Sequence, residues 1–503
     1  MLAPVAPSEL QRLRALCQEA GYTDRGLLAL FGPIELPTRA GRGMAHFVHL
    51  TREGRRLDIL VRLFLLGLPT PHQVAAEALG ARLLEDCGAW GLLEPHQDRV
   101  AARVRLLPYR DLLLAADQAE YPEIAERPGQ VMGITASTVA LANFAVRRPV
   151  EEALDLGTGC GVQALLAAVH SRQVTATDTN GRALEFARFN AALNNRTNIC
   201  FIQGDAFQPV RGRRFDLILS NPPFAISPRL RYFYRDSGQP GDSFCRRLVR
   251  EAPEFLNDGG LFQMTLDWVE HVGQDWRQRL AEWFEGTGCD AWVLRLNCET
   301  AANYAYLWIR DTEPGDSEQT ARLYEEWVEY FEREAVEAVS TGLIAMRRTG
   351  AARHWLRLEE APARIIGPIG DWVAQGFLLR DFLEANSDEQ LLTAKLRLVP
   401  EARLEQEFAA REGRWQSVAS RIRLTRGLPW TGNLDARLAG SLARLAGQRP
   451  LRDVLVHLAI ELGVEPDRVI AASLPLVRDM ILRGFLLPES VPAVSPGEQP
   501  PLP

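Results

Sequence analysis

The apolar run FDLILS, residues 215–220, stops at Asn221, Pro222, Pro223 and Phe224. Proline has no amide proton for a sheet ladder and drives the residue before it away from helix, so the chain must leave a strand there as a stiff, extended loop. On such a loop the Asn221 side-chain oxygen and the Pro222 carbonyl can each accept one N–H of a planar nitrogen, while Phe224 stacks on the flat group that carries it. These residue types suit methylation of a base amino group or a glutamine amide, whose lone pair is delocalised into a π system. Holding both protons favours a pyramidal nitrogen, and no side chain of tuned pKa is needed if the proton leaves after in-line displacement. The plain alternative is a turn with an aromatic lid.

A second constellation lies upstream. In EALDLGTGCGVQALLAAV, Asp155, Gly157, Thr158, Gly159 and Gly161 end one apolar run and open a helical one. Glycines there allow a sharp turn and close approach of a ligand at the carboxyl edge of a parallel sheet. The spacing is GxGxG, not the GxGxxG that seats a dinucleotide pyrophosphate on a helix N-terminus. S-adenosylmethionine fits such a loop, since Asp155 can hold its ammonium directly or through water. Asp178, in TATDTN at the end of the next apolar run, can accept both ribose hydroxyl protons, and in IQGDAF Asp205 can accept the adenine amino group while Ala206 offers its amide. Singly, each of these is a common turn or cap residue. Together, in chain order at successive strand ends, they specify a cofactor site.

To position them, the chain needs a parallel sheet. From Val131 to about Thr349 short apolar runs alternate with amphipathic helices, and the runs EALDL, VTATD, ICFIQ, DLILS, LFQMTL, AWVLRL and GLIAMR predict a seven-stranded, doubly wound Rossmann-like α/β domain over 131–349. TARLYEEWVEYFEREAVEAVS predicts a long amphipathic helix between the last two strands. Residues 1–130 read as mainly helical, with Leu79, Leu83, Cys87 and Trp90 at helical spacing before a hairpin turning near Gln97 and Asp98, the outline of a winged helix. Residues 350–487 read as mixed and again winged-helix-like, Gly463 stopping one helix and Pro466 with Asp467 starting the next. Residues 488–503 are Pro-rich and read as a disordered tail.

The series DLGTGCG, ATDTN, GDAF and ILSNPPF resembles that of the class I S-adenosylmethionine-dependent methyltransferases, in particular the small-domain group with NPP(F/Y). That group includes release-factor glutamine methyltransferases and ribosomal-RNA amino-group methyltransferases, and the adenine amino-group DNA methylases carry a similar signature. The resemblance covers roughly residues 131–349. It implies S-adenosylmethionine as cofactor, held at Asp155, Gly157, Gly159, Gly161, Asp178 and Asp205, and positioning of the amine by Asn221 to Phe224, with Asn221 also beside the cofactor. Phe at the last motif position is frequent among RNA-modifying members, whereas release-factor enzymes usually carry Tyr.

Just after the motif, SPRLRYFYRDSGQPGDSFCRRLVR interleaves Arg229, Arg231, Arg235, Arg246, Arg247 and Arg250 with Tyr232, Phe233 and Tyr234. Arginines among aromatics suit a base-presenting strand, and Arg229, Arg231, Tyr232 and Arg235 are the expected substrate contacts. The competing reading is a solvated or ion-paired surface. The substrate expected from sequence is therefore RNA, at an exocyclic amine. The alternatives are a glutamine amide in a translation-machinery protein, or a cofactor-fold scaffold without turnover. At 503 residues the chain exceeds one ordinary core, and a net charge of −7 argues against a surface coated throughout by nucleic acid. The 7 Cys form no CxxC pair, which indicates neither a disulfide framework nor a metal site. No apolar run is long enough to span a bilayer, and the charged residues near the start argue against a secretion signal, so a cytoplasmic location is expected.

Overall fold

The computed structural model of the chain describes residues 2–32, 44–118, 129–313, 317–362, 365, 367–434, 440 and 442–494. Its largest sheet comprises β1 (Val150–Leu156), β2 (Ser171–Asp178), β3 (Ile199–Gln203), β4 (Phe215–Ser220), β5 (Leu256–His271), β6 (Cys289–Thr300), β7 (Val336–Arg348) and β8 (Leu356–Glu360). The strand order is β8-β6-β7-β5-β4-β1-β2-β3. Strands β1 to β5 pair in parallel, while β7 lies antiparallel between β5 and β6. All seven sequence-predicted runs are strands of this mixed α/β, Rossmann-like sheet.

The sheet has eight strands rather than the expected seven. LRLEE, residues 356–360, adds to β6, with the Trp292 indole donating to Glu359. A short, charged edge strand lacks the apolar run that marks a central one. The strand order reverses between β1 and β4. One core packs α1 (Val162–Ala167) and α2 (Gly181–Leu193) against N-terminal side chains, and a second lies around Phe207, Phe255, Trp268 and Trp283. Between β6 and β7 come α5 (Ala301–Thr312) and α6 (Ser317–Arg333); α3 (Ser243–Glu251) and α4 (Trp276–Phe284) precede them. The predicted long helix is thus α6, but its last residues, from Val336 on, already belong to β7, where β-branched Val336 and Val339 are buried.

The N-terminal hairpin turns at Gln97, as expected, joining Leu93–His96 to Arg99–Ala102, with Thr70–Pro71 as a third strand. A second hairpin, Val104–Tyr109 with Leu112–Asp117, follows. Its outer edge docks on α2 through two amides one helical turn apart. Asn190 accepts from the Ala115 amide at 2.7 Å and donates to the Ala115 carbonyl at 2.8 Å, and Asn194 makes the same pair with Leu113 at 2.9 and 2.8 Å. Residues 2–142 and 149–359 pack into one compact unit, and β8, beyond the expected boundary at 349/350, completes its sheet.

Residues 143–148 and 360 onward form the second unit. In it Lys395–Leu398 pairs with Ala446–Pro450 and Leu486–Pro488, and Ala402–Arg411 pairs with Arg414–Leu424. Helix Leu451–Leu462 ends on left-handed Gly463 and Pro466 opens helix Pro466–Leu482, as the sequence predicts. Of the tail expected over 488–503, Pro488 closes a strand and Val491 is buried, while residues 495–503 lie outside the described residues. Among the described residues no helix is long and apolar enough to cross a membrane, and no cluster of His, Cys, Asp or Glu is placed to hold a metal ion.

Candidate active site

Four strands end in register, and this brings the sequence motifs together. Leu156 of β1 pairs with Ser220 of β4, so Gly157 and Asn221 leave the sheet side by side, and the Ser220 hydroxyl donates to the Leu156 carbonyl at 2.9 Å. On the other side Leu156 pairs with Thr177, next to Asp178, and Asp178 pairs with Gln203, two residues before Asp205.

Gly157, Gly159 and Gly161 all have positive φ (73°, 55° and 92°), a region that penalises a Cβ. Gly157 and Gly159 face open space, forming a cradle. Gly161 is packed instead, and a Cβ there would stand 3.2 Å from Ala187 of α2. Asp178 ties the cradle down, accepting from the Gly159 amide at 2.9 Å and the Asn180 amide at 2.8 Å; burial raises its pKa against these bonds.

Asp155 is placed differently from the expectation. Its carboxylate is 1% exposed and turned into the protein, accepting from the Thr158 hydroxyl at 2.6 Å and the Ala164 amide at 2.9 Å. Asp155 and Thr158 therefore brace the loop from beneath. Burial, opposed by those two bonds, pushes the Asp155 pKa up to about 7. Between about pH 4 and pH 7 the unfolded chain ionises this group while the fold keeps its proton, so its stabilising contribution is full at low pH and lost as pH rises through the folded value. Asp155→Asn, which keeps an acceptor but cannot ionise, should flatten the fall in urea midpoint between about pH 5 and pH 7. An unchanged slope would refute the raised value.

The amine loop is held just as firmly. The Asn221 side-chain oxygen accepts from the Thr265 hydroxyl of β5 at 2.6 Å, Pro222 is buried, and Pro223 and Phe224 are half-buried. The Trp308 ring of α5 meets the Phe224 ring edge-on, centroids 6.5 Å apart at 72°. On the adenine side Ala206 has a positive φ of 44°, and Asp205 is paired with Arg247 of α3 at 3.3 Å.

Comparison with known proteins bears on this arrangement. Residues 135–287, which carry all of these loops, match the family described as methyltransferase small domain. The chain carries a class I methyltransferase small domain. Residues 19–103 and 374–488 match two domains of unknown function, DUF7059 and DUF7782. The chain is similar to a release factor glutamine methyltransferase of Xylella fastidiosa, 36% identical over 126 residues, covering 23% of this chain and 46% of the relative. It is also similar to a ribosomal protein uL3 glutamine methyltransferase of Bradyrhizobium diazoefficiens, 40% identical over 128 residues, covering 22% and 40%. It thus spans less than half the length of either. A solved methyltransferase from Pyrococcus furiosus is 22% identical and covers 42% of this chain and 82% of that one, with a TM-score of 0.26.

The cofactor of such a methyltransferase domain is S-adenosylmethionine, and the open cradle with its anchored Asp178 fits that group. Of the six arginines expected to form a basic segment, Arg246 and Arg250 are exposed on α3, whereas the three nearest the amine loop are paired with carboxylates. Arg235 is 3% exposed, with Nε 2.8 Å from Asp236 and Nη1 2.8 Å from Glu313, and Tyr232 is 1% exposed with its hydroxyl on Glu313. Arg231 pairs with Glu313 at 2.5 Å, and exposed Arg229 pairs with Glu326 of α6. In sequence these arginines read as a basic row because Glu313 and Glu326 lie about 80 to 100 residues away. Thr265, Asp267, Tyr304 and Trp308 were missed. The available signal was the polar alternation Gln263, Thr265, Asp267 inside the otherwise apolar run 261–269, of which Phe262 to Val269 are buried.

Proposed function

We propose that the chain is an S-adenosylmethionine-dependent N-methyltransferase acting on the side-chain amide of a glutamine in a translation-machinery protein. The observation that carries this reading over RNA is the cancellation of charge beside the amine loop: Arg229, Arg231 and Arg235 are matched by Asp236, Glu313 and Glu326. Arginines already committed to carboxylates offer little to a phosphate backbone. The names of the two relatives point the same way.

When bound, the cofactor supplies an electrophilic methyl group. Asp178 would hold the ribose, Gly157 and Gly159 would let the backbone close on the cofactor, and Asp205 and Ala206 would meet the adenine. Asn221 accepts one amide proton of the target and the Pro222 carbonyl the other, while Phe224 covers its flat face.

Asp178→Ala should weaken cofactor binding by about 10- to 100-fold, the range expected when hydrogen bonds to a charged acceptor are lost. Calorimetric titration measures it, and an unchanged dissociation constant would remove Asp178 from the cofactor site. The substrate is tested by incubating the full chain with methyl-labelled S-adenosylmethionine and cell extract, then treating halves with ribonuclease or protease. Label lost to protease supports a glutamine amide. Label lost to ribonuclease overturns it in favour of an RNA amine, and cofactor binding without any label indicates a scaffold.

A further inference from the structure

The loop from Asn221 to Ile226 is fixed at both ends by one face of one strand. Met264 of β5 pairs with Ser220 of β4, so Thr265 stands level with Asn221. Its hydroxyl, 3% exposed, donates to the Asn221 side-chain oxygen at 2.6 Å. Two residues on, and so on the same face, Asp267 accepts from the Tyr304 hydroxyl at 2.6 Å and the Thr341 hydroxyl at 2.7 Å. The Tyr304 hydroxyl in turn accepts from the Ile226 amide at 3.1 Å. One helical turn after Tyr304, Trp308 abuts Phe224. Tyr304 and Trp308 both lie on α5, beyond the 135–287 span that matches the methyltransferase family.

We propose that Thr265 and Tyr304 are positioning residues for methyl transfer, an inference that rests on the reading of the chain as an N-methyltransferase. An amide can present its oxygen or its NH2 to the same point. A buried hydroxyl that must place its proton selects the oxygen, because the flipped amide would donate to Thr265 and leave the hydroxyl proton without an acceptor. The oxygen has two lone pairs. Thr265 occupies one, leaving one for a single N–H of the target, which matches a division of the two target protons between Asn221 and the Pro222 carbonyl. At the other end Tyr304 holds the Ile226 amide, so the rigid proline pair between the two anchors keeps Phe224 at one angle. Together the anchors make the acceptor geometry a property of β5 and α5 rather than of the loop.

The test compares Thr265→Val, nearly isosteric but without the hydroxyl, with Thr265→Ser, which keeps it. The readouts are initial rate on the labelled fraction of cell extract at saturating cofactor, cofactor affinity, and the Asn221 side-chain amide resonances assigned by their loss in Asn221→Ala. Thr265→Val should lower the rate by roughly 10- to 100-fold, as a small misplacement of a catalytic contact does. Cofactor affinity should hold, Thr265→Ser should recover the rate to within about threefold, and the two Asn221 amide protons should shift in Thr265→Val alone. Equal rates in the two variants, or an Asn221 signal unmoved by Thr265→Val, would overturn the inference. A wild-type chain that labels nothing would overturn the methyltransferase reading, and the resonance comparison would still decide the positioning role.

Discussion

Asn221→Ala should lower methyl transfer by about 100- to 1000-fold or more while leaving the cofactor dissociation constant within about threefold of wild type. The asymmetry follows from where the side chain is committed. One lone pair of its oxygen is held by Thr265, and the other is presented beside the cradle that opens at Gly157. Its contribution is greatest when the target nitrogen sheds planarity, a change that happens only on the way to the transition state, so the loss should fall on turnover. Calorimetry on the variant checks the division. A large loss of affinity would assign Asn221 to holding the cofactor, and near-normal turnover would leave the Pro222 carbonyl as the only acceptor that matters.

Arg235→Ala should destabilise the chain by about 3 to 5 kcal/mol, the usual result of removing one partner from a buried ion pair. Asp236 and Glu313 are 2% and 8% exposed and would be left facing each other with reduced compensation. Arg229, 74% exposed at its side chain, should change stability by less than about 1 kcal/mol when replaced by Ala, because exposed pairs contribute little. Urea unfolding of the two variants separates the roles. Wild-type stability for Arg235→Ala, with weakened binding to RNA, would restore the substrate role that the sequence suggested for this residue.

The contrast between those two arginines shows what could be read in the chain beforehand. Motifs at strand ends were legible because each is local: a glycine run, an Asp after a strand, an Asn before two prolines. Parallel pairing then places them together without further information, since Leu156 meets both Thr177 and Ser220. The seven apolar runs were legible for the same reason. What stayed hidden depends on partners distant in sequence. Glu313 turns Arg235 from a surface cation into a buried brace, and Ala164 and Thr158 turn Asp155 from a ligand group into the underside of a loop. The eighth strand was hidden because LRLEE carries too few apolar residues to announce itself.

The last strand of the second hairpin, Leu112–Asp117, is buried along its whole length and apolar but for its final residue. Such a strand, left with an open ladder, is a template on which another extended chain can assemble. Here the ladder is answered by two carboxamides of a helix, each imitating the amide and carbonyl of a neighbouring strand. The Leu112–Asp117 edge of the hairpin is thus closed without a further strand. The same arrangement sets a limit on dissection. A chain cut to begin at residue 131 would bare Asn190, Asn194 and the apolar side of α2 that carries Phe186 and Phe189, all covered in the intact unit. The methyltransferase fold in this protein is therefore finished by residues that precede it, and solubility would fail in the shortened chain before catalysis could be asked about.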